Sequence, residues 1–169
     1  AIAFVQAGNN TANSTTPNVT LAAAPIAGNL LVAGIRKNNT LAEYVVSGAW
    51  NLLTQVTSGN ERGMLAWKIA GAGELANQTP CTITTGRPWS VSMVEYSGTH
   101  ATAPLDVHNI IADANANKIT PTVNPVDSVE RVVVCYSFTT SSATTVSGHE
   151  VNNSTTGVNA RGTDGGSSG

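Results

Sequence analysis

The most chemically pointed feature of the chain is a carboxylate embedded in an apolar run, Glu95 in Val94-Glu95-Tyr96. Burial disfavours the charged form of a carboxyl group and turns it into a proton donor. A second carboxylate such as Asp106 would then complete the acid pair of a glycoside hydrolase. The plainer reading turns Glu95 toward solvent or pairs it with Arg87 or Arg131. Asp106 and His108 stand two apart on an expected strand, so they share a face and offer two metal ligands. His149-Glu150 adds a third only from an adjacent strand, and two ligands do not hold a metal; a solvated surface is the plainer reading. His100 follows Ser97-Gly98 in a turn, and no Gly-x-Ser-x-Gly elbow is present to present a nucleophile. Neither a Gly-x-x-x-x-Gly-Lys phosphate cradle nor a Gly-x-Gly-x-x-Gly dinucleotide fingerprint occurs. The chain therefore reads as a non-enzyme, with no cofactor and no metal.

Aromatic rings are the other functional candidates, because flat rings stack on sugars when Asn, Asp and Gln surround them. Trp50 follows Gly48-Ala49 and Trp89 follows Pro88, so each begins a strand where a ring can sit at a rim and contact a ligand or partner. Burial in the core is the competing reading for both. Trp67 alternates with Leu65 and Ile69 and is expected in the core. Cys81 and Cys135 each lie in an apolar run without a Cys-x-x-Cys partner, which excludes a zinc or dithiol site and leaves buried free thiols or a single bridge.

The elements that must position these residues are short and alternating. Asn29 to Arg36 (NLLVAGIR) is apolar on both faces and belongs at the centre of a sheet. Gly63 to Ala70 alternates Leu65, Trp67 and Ile69 against Met64, Ala66 and Lys68. Trp89 to Ser97 sets Trp89, Val91 and Met93 on one face, and Val129 to Thr140 sets Val132, Val134, Tyr136 and Phe138 on another. Ile2 to Ala7, Val19 to Ala23, Glu43 to Ser47, Trp50 to Thr57 and Pro80 to Thr85 are further strands, with Asn9 to Pro17 as a polar loop. Leu105 to Asp113, Lys118 to Val123, Thr144 to Val151 and Thr156 to Ala160 are weaker ones. No window repeats at 3.6, and about one turn of helix near Leu75-Ala76 is all that the pattern allows. Strands spaced about 8–12 residues apart predict an all-β protein: an antiparallel β-sandwich, jelly-roll-like, over residues 1–160. Residues 161–169, Arg161 to Gly169, form a Gly/Ser-rich extended arm whose Arg161 and Asp164 are candidate partner contacts.

Composition agrees. The chain has 169 residues, 41% hydrophobic and only 11% charged, and Asn, Thr and Ser make up roughly a third of it. Thr fits a pleated surface, and Asn, Gly and Pro make turns. A chain of this size buries roughly 70% of its unfolded surface and needs no staples. A net charge of −2 with 8 scattered basic residues cannot build the dense basic face of a nucleic-acid binder. No run of 18 apolar residues is present to span a membrane as a helix. The start Ala1-Ile2-Ala3-Phe4 lacks a basic segment and a long apolar segment, so cytoplasmic synthesis is expected and the Asn-x-Ser/Thr triplets are read as chance in an Asn- and Thr-rich chain.

Five segments taken in order carry a resemblance. They are Pro25-Ile26-Ala27-Gly28-Asn29-Leu30-Leu31-Val32, Trp50, Ala66-Trp67-Lys68-Ile69-Ala70, Val94-Glu95-Tyr96-Ser97-Gly98 and Ala103-Pro104-Leu105-Asp106. Their order resembles a β-sandwich module of tailed-phage virion proteins and bacterial surface proteins, over about residues 1 to 140. The resemblance brings structural motifs and no catalytic residues. It implies a capsid decoration (cement) protein on the virion surface that binds the major capsid protein, with a homo-oligomer, dimer or trimer, around local symmetry axes. The alternative it leaves is a glycan-binding adhesion module of a tail or head spike.

Overall fold

A computed structural model describes residues 2–38 and 43–105. They form nine strands: β1 (Ala3–Ser14), β2 (Val19–Thr20), β3 (Leu30–Asn38), β4 (Tyr44–Val46), β5 (Asn51–Ser58), β6 (Glu61–Ile69), β7 (Asn77–Gln78), β8 (Cys81–Ile83) and β9 (Arg87–Ser97). The protein is all-β and antiparallel, and the described residues contain no helix, including at Leu75-Ala76. Five strands make one sheet in the order β1-β9-β3-β6-β5. Two short ribbons, β2 with β7 and β4 with β8, supply a second layer.

The central position of β3 follows from its sequence. Leu31, Ala33 and Ile35 face one side and Leu30 and Val32 the other, so the strand is stable only where both faces are covered. It pairs with β6 on one edge, Ala33 opposite Ala66, and with β9 on the other, Ala33 opposite Met93. Leu31, Ala33 and Ile35 join Met64, Ala66, Val91 and Met93 in the main core, where Val19, Leu21, Cys81 and Ile83 of the ribbon layer pack against them. Burying each large aliphatic side chain contributes roughly 1.5–3 kcal/mol. The opposite face of the sheet holds a second cluster, Leu30, Val32, Val94 and Tyr96, edged by Phe4, Trp67 and Ile69. The Phe4 and Tyr96 rings meet edge to face with centroids 6.1 Å apart.

Two expectations change. The segment from Asn9 is not a loop: β1 runs to Ser14, paired residue for residue with β9 from Gln6 opposite Glu95 to Ser14 opposite Arg87. The long β9 supplies a template that outweighs the weak strand preference of Asn. Trp67 is only half-buried, because the main core takes the Met64, Ala66 and Lys68 face of β6 instead. The apolar side of Gly8 is also closed: β2 crosses so near that a Cβ at residue 8 would lie 3.0 Å from Val19 Cγ2 and 3.1 Å from the Thr20 carbonyl oxygen. Gly28 (φ 89°), just before β3, and Gly98 (φ 73°), just after β9, take the left-handed backbone that glycine adopts without strain. The strands expected from Leu105 to Ala160, the domain boundary at residue 160 and the arm lie outside the described residues.

Candidate functional site

Glu95 is fully buried on the main-core face of β9. Its Oε1 accepts from Asn29 Nδ2 at 2.6 Å and from the Ile26 N–H at 2.9 Å, and its Oε2 accepts from Gln6 Nε2 at 2.5 Å. Gln6 in turn donates to the Ala23 carbonyl and accepts from the Ala23 N–H. Among the described residues Arg87 is not one of these partners. The carboxylate is a structural knot that ties β9 and β1 to the loop between Ala22 and Asn29. Asp106, the other half of the acid pair, lies outside the described residues, as do His108, His149, Glu150 and Arg131.

The remaining described carboxylates are likewise committed. Glu61 takes a two-pronged contact from Arg36, 2.7 and 2.8 Å, with both side chains nearly buried. Glu43 pairs with Arg62 at 2.7 Å. Glu74 accepts two bonds of 2.8 Å from Lys68 and one of 3.1 Å from Gln78. Burial alone would raise the Glu74 carboxyl; the bonds from Lys68, Gln78 and the Gly71 N–H outweigh it and hold it below the ordinary range.

Both candidate tryptophans are core residues. Trp50 is 7% exposed, with the Lys68 ammonium 5.1 Å from its ring centroid. Trp89 is 2% exposed and donates from Nε1 to Ser14 Oγ at 3.0 Å. Neither presents a ring face to solvent, so neither is a stacking platform. Arg161 and Asp164 lie outside the described residues. His100 closes the turn after β9, its Nδ1 accepting from the Ala103 N–H at 3.1 Å.

A second polar pocket of the core gathers at the far end of β3. The fully buried Lys37 sits 5.2 Å above the Tyr44 ring, and the Tyr44 hydroxyl donates to the Arg62 carbonyl at 2.7 Å. Burial lowers the Lys37 ammonium, pushes the Tyr44 phenol well up, and pushes the Cys81 thiol up to about 12. Cys81 is a buried free thiol, inert at neutral pH. Cys135 lies outside the described residues. No group of three or more His, Cys, Asp or Glu that could hold a metal ion occurs among the described residues. No described helix is long and apolar enough to cross a membrane.

No family model, curated protein or solved structure matches the chain.

One surface stands out from the rest, and it lies in the loops. The segments 21–29 and 70–76 are laced together by main-chain bonds, Gly28 N–H to the Ala70 carbonyl, Ala70 N–H to the Asn29 carbonyl and Leu21 N–H to the Ala76 carbonyl. They meet at the Leu30 and Ile69 ends of β3 and β6. Ile26 is 60% exposed and Leu75 73% exposed in these segments, and Ala22, Ala24, Ala27 and Ala72 are exposed along them. The only charge in either segment is Glu74, which Lys68 neutralises. Sequence reading missed this end because apolar residues in loops produce no periodicity. The available signal was an isoleucine and a leucine inside Gly-, Ala- and Pro-rich turns, where polar residues normally stand.

Proposed function

We propose that the chain is a structural virion protein: a decoration, or cement, protein that stabilises a tailed-phage head by binding its major capsid protein. The observation that carries this reading is the neutral apolar end built around Ile26 and Leu75. Exposed large aliphatic side chains on two bonded loops whose single charge is neutralised are the composition of a protein–protein contact. The Glu95 knot supports it from beneath, since a loop fixed at Ile26 and Asn29 loses little entropy on docking. The order of motifs that resembles a tailed-phage sandwich module points the same way, and repetition on a symmetric shell multiplies weak single contacts. The glycan alternative stood on Trp50 and Trp89, and their burial favours the protein-contact reading over it. The test is co-sedimentation of the purified chain with phage heads that lack it. Saturable binding by the wild type that Ile26→Glu/Leu75→Glu abolishes is the expected result; wild-type chain left wholly in the supernatant would refute it.

A further inference from the structure

Glu74 and Leu75 are neighbours in the loop between β6 and β7, and they face opposite ways. The Glu74 carboxylate turns inward, where Lys68 of β6 gives it two bonds of 2.8 Å and Gln78 of β7 one of 3.1 Å. It also accepts from the Gly71 N–H at 3.3 Å, which closes the loop on itself. Gln78, buried, donates to the Leu75 carbonyl at 2.5 Å. The next carbonyl, that of Ala76, accepts from the Leu21 N–H and joins this loop to segment 21–29. The Lys68 ammonium is itself held, 5.1 Å from the centroid of the buried Trp50 ring. The carboxylate therefore fixes the main chain on both sides of Leu75, through Gly71 before it and Gln78 after it, while the leucine side chain stands in solvent.

A loop free to move hides a leucine from water, because burying apolar area is favourable. Here ionic and polar bonds hold the loop in a form that leaves the leucine out. We infer that Glu74 is the positioning residue of the docking surface: it holds Leu75 outward as a pre-ordered anchor for an uncharged, apolar hollow in the major capsid protein. The inference rests on the capsid reading and adds to it the residue that shapes the contact and the kind of site the partner offers. The one charge beside the anchor is neutralised by Lys68, so an apolar hollow that receives Leu75 meets no unpaired ion. A loop ordered before contact also loses little entropy on docking. Glu74 acts through Leu75 and not by touching the partner.

Two measurements test it together: affinity for phage heads that lack the protein, by co-sedimentation, and amide hydrogen exchange of the isolated chain. Glu74→Gln is expected to speed exchange within residues 71–78 and to weaken binding about tenfold, since the loop must then be ordered at the moment of contact. Lys68→Met/Glu74→Gln leaves no ammonium unpaired and should do the same, which covers a single variant that folds poorly. Leu75→Ala should weaken binding by a similar factor. Adding Glu74→Gln to Leu75→Ala should then weaken it little further, because no anchor is left to place; a merely structural role makes the two losses multiply. Glu43→Gln, which breaks the ion pair with Arg62, should leave binding unchanged. While the wild type binds, the inference is overturned by unchanged affinity or unchanged 71–78 exchange in both clasp variants, by losses that multiply, or by equal weakening from Glu43→Gln. A wild type that binds no heads refutes instead the function proposed above, and this inference with it.

Discussion

Removing the Glu95 carboxylate should be among the most damaging single substitutions in the described residues. Glu95→Ala strands three donors at once: Asn29 Nδ2, the Ile26 N–H and Gln6 Nε2. A buried donor left without a partner costs about 1–3 kcal/mol. Water entering the space vacated by the side chain recovers part of that, so a net loss of about 3–5 kcal/mol is expected. A domain of this size has only about 5–15 kcal/mol in hand, which leaves the variant marginal. Glu95→Gln keeps the shape and one acceptor but sets its amide N–H₂ against Gln6 Nε2. Gln6 cannot simply turn over, because its amide also makes both bonds to Ala23. An intermediate loss of about 1–3 kcal/mol follows for that variant. Urea denaturation at pH 7 measures both, with the slope m unchanged if the folded state keeps its compactness. Hydrogen exchange should show the added opening concentrated in residues 22–29. If Glu95→Ala falls within about 1 kcal/mol of wild type, the knot does not hold the loop and the reasoning fails.

Other expectations concern packing, ion pairing and pH. Gly8→Ala should cost about 1–3 kcal/mol, because its methyl group meets Val19 and the Thr20 carbonyl at 3.0–3.1 Å; a neutral thermal shift would show that β2 yields easily. Arg36→Ala leaves Glu61 nearly buried without its cation and should cost about 3–5 kcal/mol, whereas the double change Arg36→Met/Glu61→Met should cost much less; equal losses in urea would refute the ion-pair account. Stability should fall as pH rises above about 9. The unfolded Cys81 thiol ionises near 9.0, the ordinary value of a thiol in water, while the folded thiol holds its proton to about 12, so the unfolded state sheds a proton the native state keeps. The full window is worth on the order of 4 kcal/mol. The Tyr44 phenol, raised by burial, acts in the same direction above pH 10. Lys37, lowered by burial, acts in the opposite sense: its deficit fades as pH climbs toward 10.5, the value of an unfolded lysine. Cys81→Ala should flatten the alkaline slope of the urea midpoint; an unchanged slope would assign the loss elsewhere.

The elements that were legible in the sequence are those whose pattern had one solution. β3 is apolar on both alternations, so only a central position covers it, and Trp89, Val91 and Met93 of β9 share the core face that period two assigns them. β6 shows the limit of the same rule. Alternation separates Met64, Ala66 and Lys68 from Leu65, Trp67 and Ile69, but it does not say which set faces the larger core. The lysine misleads, because nothing local reveals that Glu74 and the Trp50 ring will receive it. β1 past Gly8 was hidden for a different reason. Its strand character comes from pairing with β9, more than seventy positions away, and not from its own Asn-rich composition. Glu95 was singled out by its apolar neighbours, yet its partners Gln6 and Asn29 lie 89 and 66 residues distant, which no local pattern encodes. The apolar end escaped because two loops form it only after β3 and β6 have been brought side by side.

The central claim is that the Ile26 and Leu75 end docks on a capsid surface, and the most direct measurement locates the chain on the particle. Heads lacking the protein, saturated with purified chain and imaged by electron cryo-microscopy, should show added density at symmetry-related positions, with loops 21–29 and 70–76 against the major capsid protein. Density that meets the shell through another face, or none above the shell at all, would contradict the account.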